Sequence, residues 1–529
     1  MMQVKGYFRN VKEADKELLF TWANDAETRR QSFSSAPITW DEHTAWFART
    51  QADTDSPHWI LMVCDEERGD AQPAGVLRLT RDQDGAAYRI SYSIAPAWRG
   101  HGLGSLLLTL AKRWTAALCF TCTELYGEVK AENIASVRCF EKAGYEKAAG
   151  GTGSAAGGNP EILRFRADVP RKSLIYFRAD ANAQVGYGHL MRCLTIADAC
   201  EGRGLNPVFV TADEESQGTI AARGFPCLIL NTDHRNMESE LGKLPALLAD
   251  GAPVVLDSYH VTKHYVETLK ENGHRVAWMD DLKEQEYPVD MLINYNVYAK
   301  QLDYPMDRDT GSGVHPVGKR DGRCTYLLGP GYAPVRPSFR REDAGVRETL
   351  GTVLVTTGGS DPYGAGVWFA KLFAERLPDA KILVVCGPYA KGKDELYRLA
   401  EQNGNIEVVE GCSDLSSLMH ESDLAVAAAG STLYELCAAG LPGVLYYLAD
   451  NQRMGAEAFA RETGVVNLGD IRAESFPTEA DAQLTAVLAH LTAAPERKKL
   501  ADAMHALVDG NGAGRIAEAL AKLVFTHET

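Results

Sequence analysis

The sequence predicts an α/β chain: an N-terminal module followed by two Rossmann-like, doubly wound domains facing a cleft. Three observations carry this. The chain has 529 residues, too many for one hydrophobic core, and at about 150 residues per domain it makes roughly three to four domains. Strand and helix patterns alternate almost throughout, which favours α/β layers over all-helical or all-β architecture. Short apolar runs also recur, each ending in a polar or glycine-bearing loop: "PVVLDSYH", "RVAWMDDL", "DMLINYN", then "TVLVTTGGSDP", "ILVVCGP" and "LAVAAAGST". Buried parallel strands have this form.

The segment "AAGGTGSAAGGNP", residues 148–160, cannot pack as a regular element and reads as a flexible loop. The strand-like "EILRFRADV" follows, and "PRKS" precedes a new strand, "LIYFRAD", which sets a module boundary near Pro170. The proline-rich "LLGPGYAPVRPSF" suits a connection between two sheets. The expected domains are therefore 1–169, 173–335 and 345–525. Residues that are 45% hydrophobic and 24% charged suit a globular protein, and a net charge of -16 argues against nucleic acid as a partner. The first residues carry charges where a signal peptide needs an apolar stretch, and the most apolar region, 423–449, is broken by Asp423, Gly430, Glu435, Gly440 and Pro442. No membrane insertion is expected. Eleven cysteines are scattered, and the one close pair, Cys119 and Cys122, has no second pair to complete a zinc site. Reduced, cytoplasmic thiols are the expectation; the oligomeric state is left open.

"YRISYSIAPAWRGHGLGSLLLTLAKRW" joins a strand ending near Ile94 to a helix through Arg99, Gly100, His101, Gly102, Leu103 and Gly104. Glycines there let backbone N–H groups approach an anion, and the helix N-terminus adds a favourable dipole. The stretch resembles the acetyl-CoA loop of the GNAT acetyltransferases. "VKAENIASVRCFEKAGYEK" places Asn133, Ser136, Gly144 and Tyr145 at the spacing of that family's next strand and helix. The resemblance covers most of residues 1–168 and implies acetyl-CoA as co-substrate, with Ile94, the 99–104 turn and Asn133 binding it. One position departs: where the family often has a tyrosine that protonates the leaving thiolate, this chain has Phe140, so the general acid is unassigned. "TWANDAETRRQSF" and "DEHTAWF" resemble members that acetylate amino groups of nucleotide sugars. Trp22, Asn24, Arg30, His43 and Trp46 are candidates for an acceptor pocket, with His43 as base; the tryptophans suit a core equally well, and His43 a solvated helix start.

In "QVGYGHLMRC", Gly186, Tyr187 and Gly188 lead from the strand "SLIYFRAD", which ends in Asp180, into a helix beginning near His189. Ligands of doubly wound folds bind at this carboxyl edge. The positive end of the helix dipole keeps a histidine neutral and able to accept a proton, although a cap or a phosphate ligand is equally consistent with this loop alone. Asp257, Tyr259 and His260, Asp280 and Asp281, and Asn294 and Asn296 all end apolar strands, where a carbohydrate would use them. Further on, Gly358, Gly359 and Ser360, and Ala429, Gly430, Ser431 and Thr432, offer backbone N–H groups to a diphosphate; Glu435 is placed for ribose hydroxyls, with Asn451 and Gln452 after the next strand.

From about 173 to 470 these motifs resemble the nucleotide-sugar hydrolases of the pseudaminic acid pathway, which are related to a GT-B glycosyltransferase. The resemblance implies cleavage of UDP from UDP-2,4-diacetamido-2,4,6-trideoxy-β-L-altropyranose without a metal, with His189 as base and Tyr259 orienting water or sugar. Since the preceding step of that pathway acetylates the 4-amino group, the two modules read as consecutive steps on one chain. One displacement by water inverts the anomeric centre, and UDP, held by the glycine loops, needs no acid carboxyl. The alternatives are a GT-B glycosyltransferase joined to an acetyltransferase, a related nonulosonic acid enzyme, or a binding protein with a degenerate GNAT domain.

Overall fold

The computed structural model describes residues 6–53, 55–64, 71–119, 121–148, 161–182, 185–284, 286–304, 319–320, 324–342, 345–358, 361–387, 390–412 and 414–525. All of the glycine-rich 148–160 segment but Ala148 lies outside them. The chain forms two compact units, one of Met1–Leu190, Gly204–Arg275 and Val524–Thr529, the other of Met191–Arg203 and Val276–Leu523.

The first unit opens with β1 (Gly6–Asn10), α1 (Lys16–Ala23), α2 (Ala26–Gln31), α3 (Trp40–Ala52), β2 (His58–Cys64), β3 (Ala71–Arg81), β4 (Ala87–Ile94), α4 (Leu103–Leu118), β5 (Glu124–Lys130), α5 (Ile134–Lys142), β6 (Glu146–Lys147) and β7 (Ile162–Asp168). The strands lie in the order β1-β2-β3-β4-β5-β7-β6. Every pairing is antiparallel except that of β4 with β5, which runs from Ala87↔Glu124 to Ile90↔Gly127 and stops. Beyond it the two strands bond only to their outer neighbours, so the sheet splits at its centre. Phe8 stacks on Trp59 and meets Trp114 edge-on, which puts α4 on one face. Side chains alternate along a strand, so His58 points to the other face, where it packs against Trp46 of α3. A reciprocal cap between Thr39 and Glu42 starts α3.

The same unit continues with β8 (Leu174–Ala179), the start of α6 (Gly188–Glu201), β9 (Asn206–Thr211), α7 (Gln217–Ala222), β10 (Cys227–Ile229), α8 (Leu244–Leu247), β11 (Val254–Asp257) and α9 (Lys263–Glu271). Its strands run parallel in the order β10-β9-β8-β11. All six residues of β8 are buried, as a central parallel strand requires. α7 packs against β1, and the Arg113 guanidinium sits over the Phe225 ring at 5.7 Å, so this sheet is joined to the preceding one by side-chain contact.

The second unit holds β12 (Val276–Met279), β13 (Met291–Asn294), β14 (Lys319–Arg320) and β15 (Thr325–Leu328), ordered β12-β13-β15-β14 with only β14 antiparallel. It then builds a six-stranded parallel sheet, β18-β17-β16-β19-β20-β21, from β16 (Thr352–Thr356), α10 (Ala365–Arg376), β17 (Lys381–Cys386), α11 (Lys393–Gln402), β18 (Ile406–Glu410), α12 (Ser416–Glu421), β19 (Leu424–Ala428), α13 (Thr432–Ala438), β20 (Gly443–Tyr447), α14 (Asp450–Thr463), β21 (Val466–Asp470), α15 (Phe476–Leu491), α16 (Ala494–Leu507) and α17 (Gly512–Phe525). Leu354, Leu383, Ala425 and Leu445 feed one apolar core; their neighbours Val353, Val355, Ile382 and Val426 feed another. Helices therefore cover both faces, the doubly wound arrangement. Among the described residues, no helix is long and apolar enough to cross a membrane.

Candidate functional site

At the split between β4 and β5, the chain leaves Ile94 and reaches α4 through Gly100 (φ +83°) and Gly102 (φ +78°). A Cβ on either glycine would meet nothing within 4 Å, so the positive φ alone demands glycine and the space above the turn is open. The first-turn N–H groups of α4 have no intrahelical acceptor and point there. Gly104 has a different cause: its Cβ would lie 2.6 Å from Cys139 Sγ on α5, so this glycine lets two helices touch. Leu103 is buried, His101 exposed with Nδ1 donating to the Arg99 carbonyl at 3.0 Å, and Asn133 caps α5 by accepting from Ser136 N–H at 3.1 Å. Arg99 Nη2 donates to Asp25 Oδ2 (2.6 Å) and Thr28 Oγ1 (2.9 Å), tying the turn to the start of α2. Asp25 is accordingly held below the usual carboxylate range by Arg99 and the Thr28 N–H.

Phe140 is buried, stacked on Phe165 at 5.2 Å and edge-on to Tyr145, and a Cβ at Gly127 would fall 2.2 Å from its Cζ. The ring fills core under β5. Of the acceptor-pocket candidates, Trp22 is buried beside Leu19, Phe47 and Ile60, Asn24 bonds both N–H and C=O of Ile38, and Arg30 pairs with Glu27 on the surface. His43 corrects the expectation of a solvated ring: it is 2% exposed, and its Nε2 donates to the Lys16 carbonyl at 2.9 Å. That nitrogen already carries its proton, so it cannot serve as a base.

In the sheet of β8 to β11, Gly186 (φ +75°) turns the chain and His189 becomes the second residue of α6. Its Nδ1 lies 2.6 Å from Oδ1 of Asp257, the last residue of β11 and 1% exposed. A carboxylate accepts, so Nδ1 carries the proton and Nε2 has the lone pair, the tautomer a general base requires. Tyr259 stands edge-on to this imidazole at 4.7 Å and is 62% exposed; Tyr187 is 51% exposed. Asp180 is occupied inside the protein: Oδ2 accepts from Arg178 at 2.6 Å and Oδ1 from the Ala212 N–H at 2.7 Å. Arg178, fully buried, also binds Glu240, which accepts from the Tyr265 hydroxyl at 2.9 Å. Sequence reading missed Arg178 and Glu240; the available signal was an arginine inside an otherwise apolar strand.

In the second unit, Arg192, three residues along α6 from His189, binds both oxygens of Asp281 at 3.0 Å and the Tyr295 hydroxyl at 3.0 Å. Asn296 Nδ2 adds a contact to Asp281 at 3.2 Å. Asn294 is 0% exposed, donating to Tyr304 Oη and accepting from the Asn296 backbone and side chain. Asp280 accepts from Tyr304 at 2.5 Å and from the Leu282 and Lys283 N–H groups. These strand-end groups form one bonded lattice. Nothing in the sequence marked Arg192 apart from other helix arginines.

In the six-stranded sheet, Ala429, Gly430 and Ser431 make the turn from β19 to α13, which starts at Thr432. The predicted Gly359 and Ser360 lie outside the described residues; Gly358 has φ +82°. Burial pushes the Glu435 carboxyl up to about 7, against the opposing effect of Arg336 at 3.9 Å. Arg336 also lies 3.5 Å from Asp414 and over the Phe339 ring; it comes from the "APVRPSF" connection, read only as a linker. Gln452 Oε1 accepts from Leu448 N–H at 3.1 Å, and Asn451 is exposed.

Residues 7–146 match the acetyltransferase (GNAT) domain family and residues 352–519 the glycosyltransferase family 28 C-terminal domain. The chain is 28% identical over 370 residues to the spore coat polysaccharide biosynthesis protein SpsG of Bacillus subtilis, across 65% of this chain and 97% of that protein. It is 25% identical over 273 residues to the UDP-2,4-diacetamido-2,4,6-trideoxy-beta-L-altropyranose hydrolase of Campylobacter jejuni, across 49% of this chain and 86% of that one. Among solved structures, spermidine N-acetyltransferase of Vibrio cholerae aligns at TM-score 0.28 and 16% identity over 32% of this chain and 97% of its own. The chain thus carries an N-terminal GNAT acetyltransferase domain and a C-terminal domain of the glycosyltransferase family 28 type.

Proposed function

We propose that the chain catalyses two consecutive steps of pseudaminic acid biosynthesis. The GNAT domain acetylates the amino group of a UDP-4-amino-4,6-dideoxy sugar with acetyl-CoA, and the remainder hydrolyses UDP-2,4-diacetamido-2,4,6-trideoxy-β-L-altropyranose to UDP and free sugar. The observation that carries the second step is the His189–Asp257 pair, a buried carboxylate fixing an imidazole tautomer at a strand-end turn. His189 Nε2 takes a proton from water as it attacks the anomeric carbon, and the imidazolium that forms is stabilised by Asp257. Attack from the face opposite UDP inverts the centre. Tyr259 positions the water or the sugar ring beside the imidazole, with Tyr187 and the 186–188 turn completing the sugar site; Ala429, Ser431, Thr432, Glu435, Asn451 and Gln452 hold UDP, together with Gly359 and Ser360. Asp180 and Asn294 shape the site through their internal bonds.

For acetyl transfer, the open 100–104 turn fits a diphosphate, and Ile94 and Asn133 flank the remainder of acetyl-CoA. The neutral amine attacks the thioester carbonyl, the C–S bond breaks, the nitrogen gives up one proton to solvent, and the thiolate takes one from solvent or a group other than Phe140. The relationship of the C-terminal domain to glycosyltransferases favours one second reading, transfer of the sugar to an acceptor. Incubating the full chain with the UDP 4-amino sugar and acetyl-CoA, and following products by NMR without any sugar acceptor, decides between them: free diacetamido sugar, UDP and CoA support the proposal, and acetylated UDP-sugar that persists until an acceptor is added overturns the hydrolytic step.

A further inference from the structure

The sheet of the GNAT domain carries a cation that has no ion-pair partner among the described residues. Arg78 of β3 pairs in register with His58 of β2 and Ser91 of β4, and Ser91 is the first residue past the last β4–β5 pair. Arg78 is therefore one strand from the mouth of the split. Its guanidinium lies over Trp46 at 5.4 Å, and no hydrogen bond or ion pair to it is found among the described residues. Burial lowers its pKa, and Arg89 nearby lowers it further, while Asp53 acts weakly the other way. His58, packed against the same Trp46 ring, is 8% exposed, and its buried Nδ1 has no hydrogen-bond partner among the described residues. Burial and Arg78 push this imidazole down to about 4, so it stays neutral and offers one N–H without adding charge.

A half-buried guanidinium and a buried, unpartnered ring nitrogen on one aromatic wall are costly unless something accepts from them. We infer that Arg78 and His58 bind a phosphate group of the acetyl acceptor, Arg78 as a forked donor and His58 Nδ1–H as a second. The guanidinium matches phosphate geometry, and no carboxylate among the described residues occupies its fork. The coenzyme diphosphate is assigned to the turn before α4, and α4 covers the opposite face of the sheet from Trp46, which leaves this anion to the acceptor. The inference rests on the reading of that acceptor as a nucleotide-linked amine.

Two measurements on the full chain test it. In acetylation of the UDP 4-amino sugar followed by CoA release, Arg78→Met raises the acceptor KM about ten- to a hundredfold, leaves the acetyl-CoA KM unchanged and changes kcat little, while Arg78→Lys recovers part of the loss. An unchanged acceptor KM overturns the inference, as does a rise confined to acetyl-CoA, which would give the anion to the coenzyme. Separately, with 5-fluorotryptophan incorporated and Trp46 assigned through Trp46→Phe, inorganic pyrophosphate shifts the Trp46 ¹⁹F signal in the wild type and not in Arg78→Met. No shift in the wild type overturns the site. If the wild type binds pyrophosphate there but does not acetylate the UDP sugar, the anion site stands and the identity given to the acceptor falls.

Discussion

The turn before α4 and the turn before α6 are built from the same materials, and they offer different chemistry. Both leave a β-strand through glycines of positive φ, Gly100 and Gly102 in one and Gly186 in the other, and both end at a helix start. The first keeps its side chains occupied or turned away: Arg99 is bonded to Asp25 and His101 to a carbonyl, so what it presents is backbone. The second presents His189, with a buried carboxylate behind it. The two turns thus share a backbone form and differ in what a neighbouring element supplies to their side chains: Asp25 to Arg99 in one, Asp257 to His189 in the other.

That contrast breaks most sharply at His189. His189→Ala is expected to lower hydrolysis of the diacetamido UDP-sugar by about a hundredfold to ten-thousandfold while UDP still binds, measured as UDP release and by calorimetry. Equal losses in both would make the residue a phosphate ligand. Asp257→Asn keeps shape but frees the ring to take the other tautomer. A loss of roughly a hundredfold in turnover, with little change in UDP affinity, is expected; full activity in this variant would dissociate the pair from the chemistry.

At the other turn the expected effect falls on binding. Gly102→Trp places bulk where a Cβ meets open space and forces a side chain to φ +78°, a strain of about 1–2 kcal/mol. Acetyl transfer should stop, and with it UDP release from the 4-amino sugar, while release from preformed diacetamido sugar continues at nearly the normal rate. Rapid UDP release from the 4-amino sugar without acetyl-CoA would refute the order of steps. The smallest effect concerns Glu435. Because its carboxyl is raised to about 7, it takes up a proton as pH falls through neutrality, and ribose hydroxyls that donate to it favour the ionised form. UDP affinity should therefore rise between pH 6 and pH 8, and Glu435→Gln should flatten that dependence and weaken binding at pH 8 by roughly 1.5–3 kcal/mol. A pH-independent affinity in the wild type argues for another ribose partner.

Strand ends and the turns that need glycine were legible in the residues alone. Both are local: an apolar run of four to six residues closed by polar or small ones reads as a parallel strand, and the 99–104 and 186–189 stretches stand in the structure as strand-to-helix turns. The sequence also singled out Phe140 and the cluster of Asp257, Asp280, Asp281, Asn294 and Asn296. Which of those polar groups face each other was decided only by tertiary structure. Asp257 is 68 residues from His189, and Arg192 is 89 from Asp281; no spacing rule connects them, because β8 and β11 become neighbours through parallel pairing across intervening helices and strands. Long-range packing likewise bound Asp180 to the Ala212 N–H, buried His43 against the Lys16 carbonyl and drew Gly104 against Cys139. Each outcome depends on what a second, distant element brings to within about 3 Å, the range over which a hydrogen bond is decided.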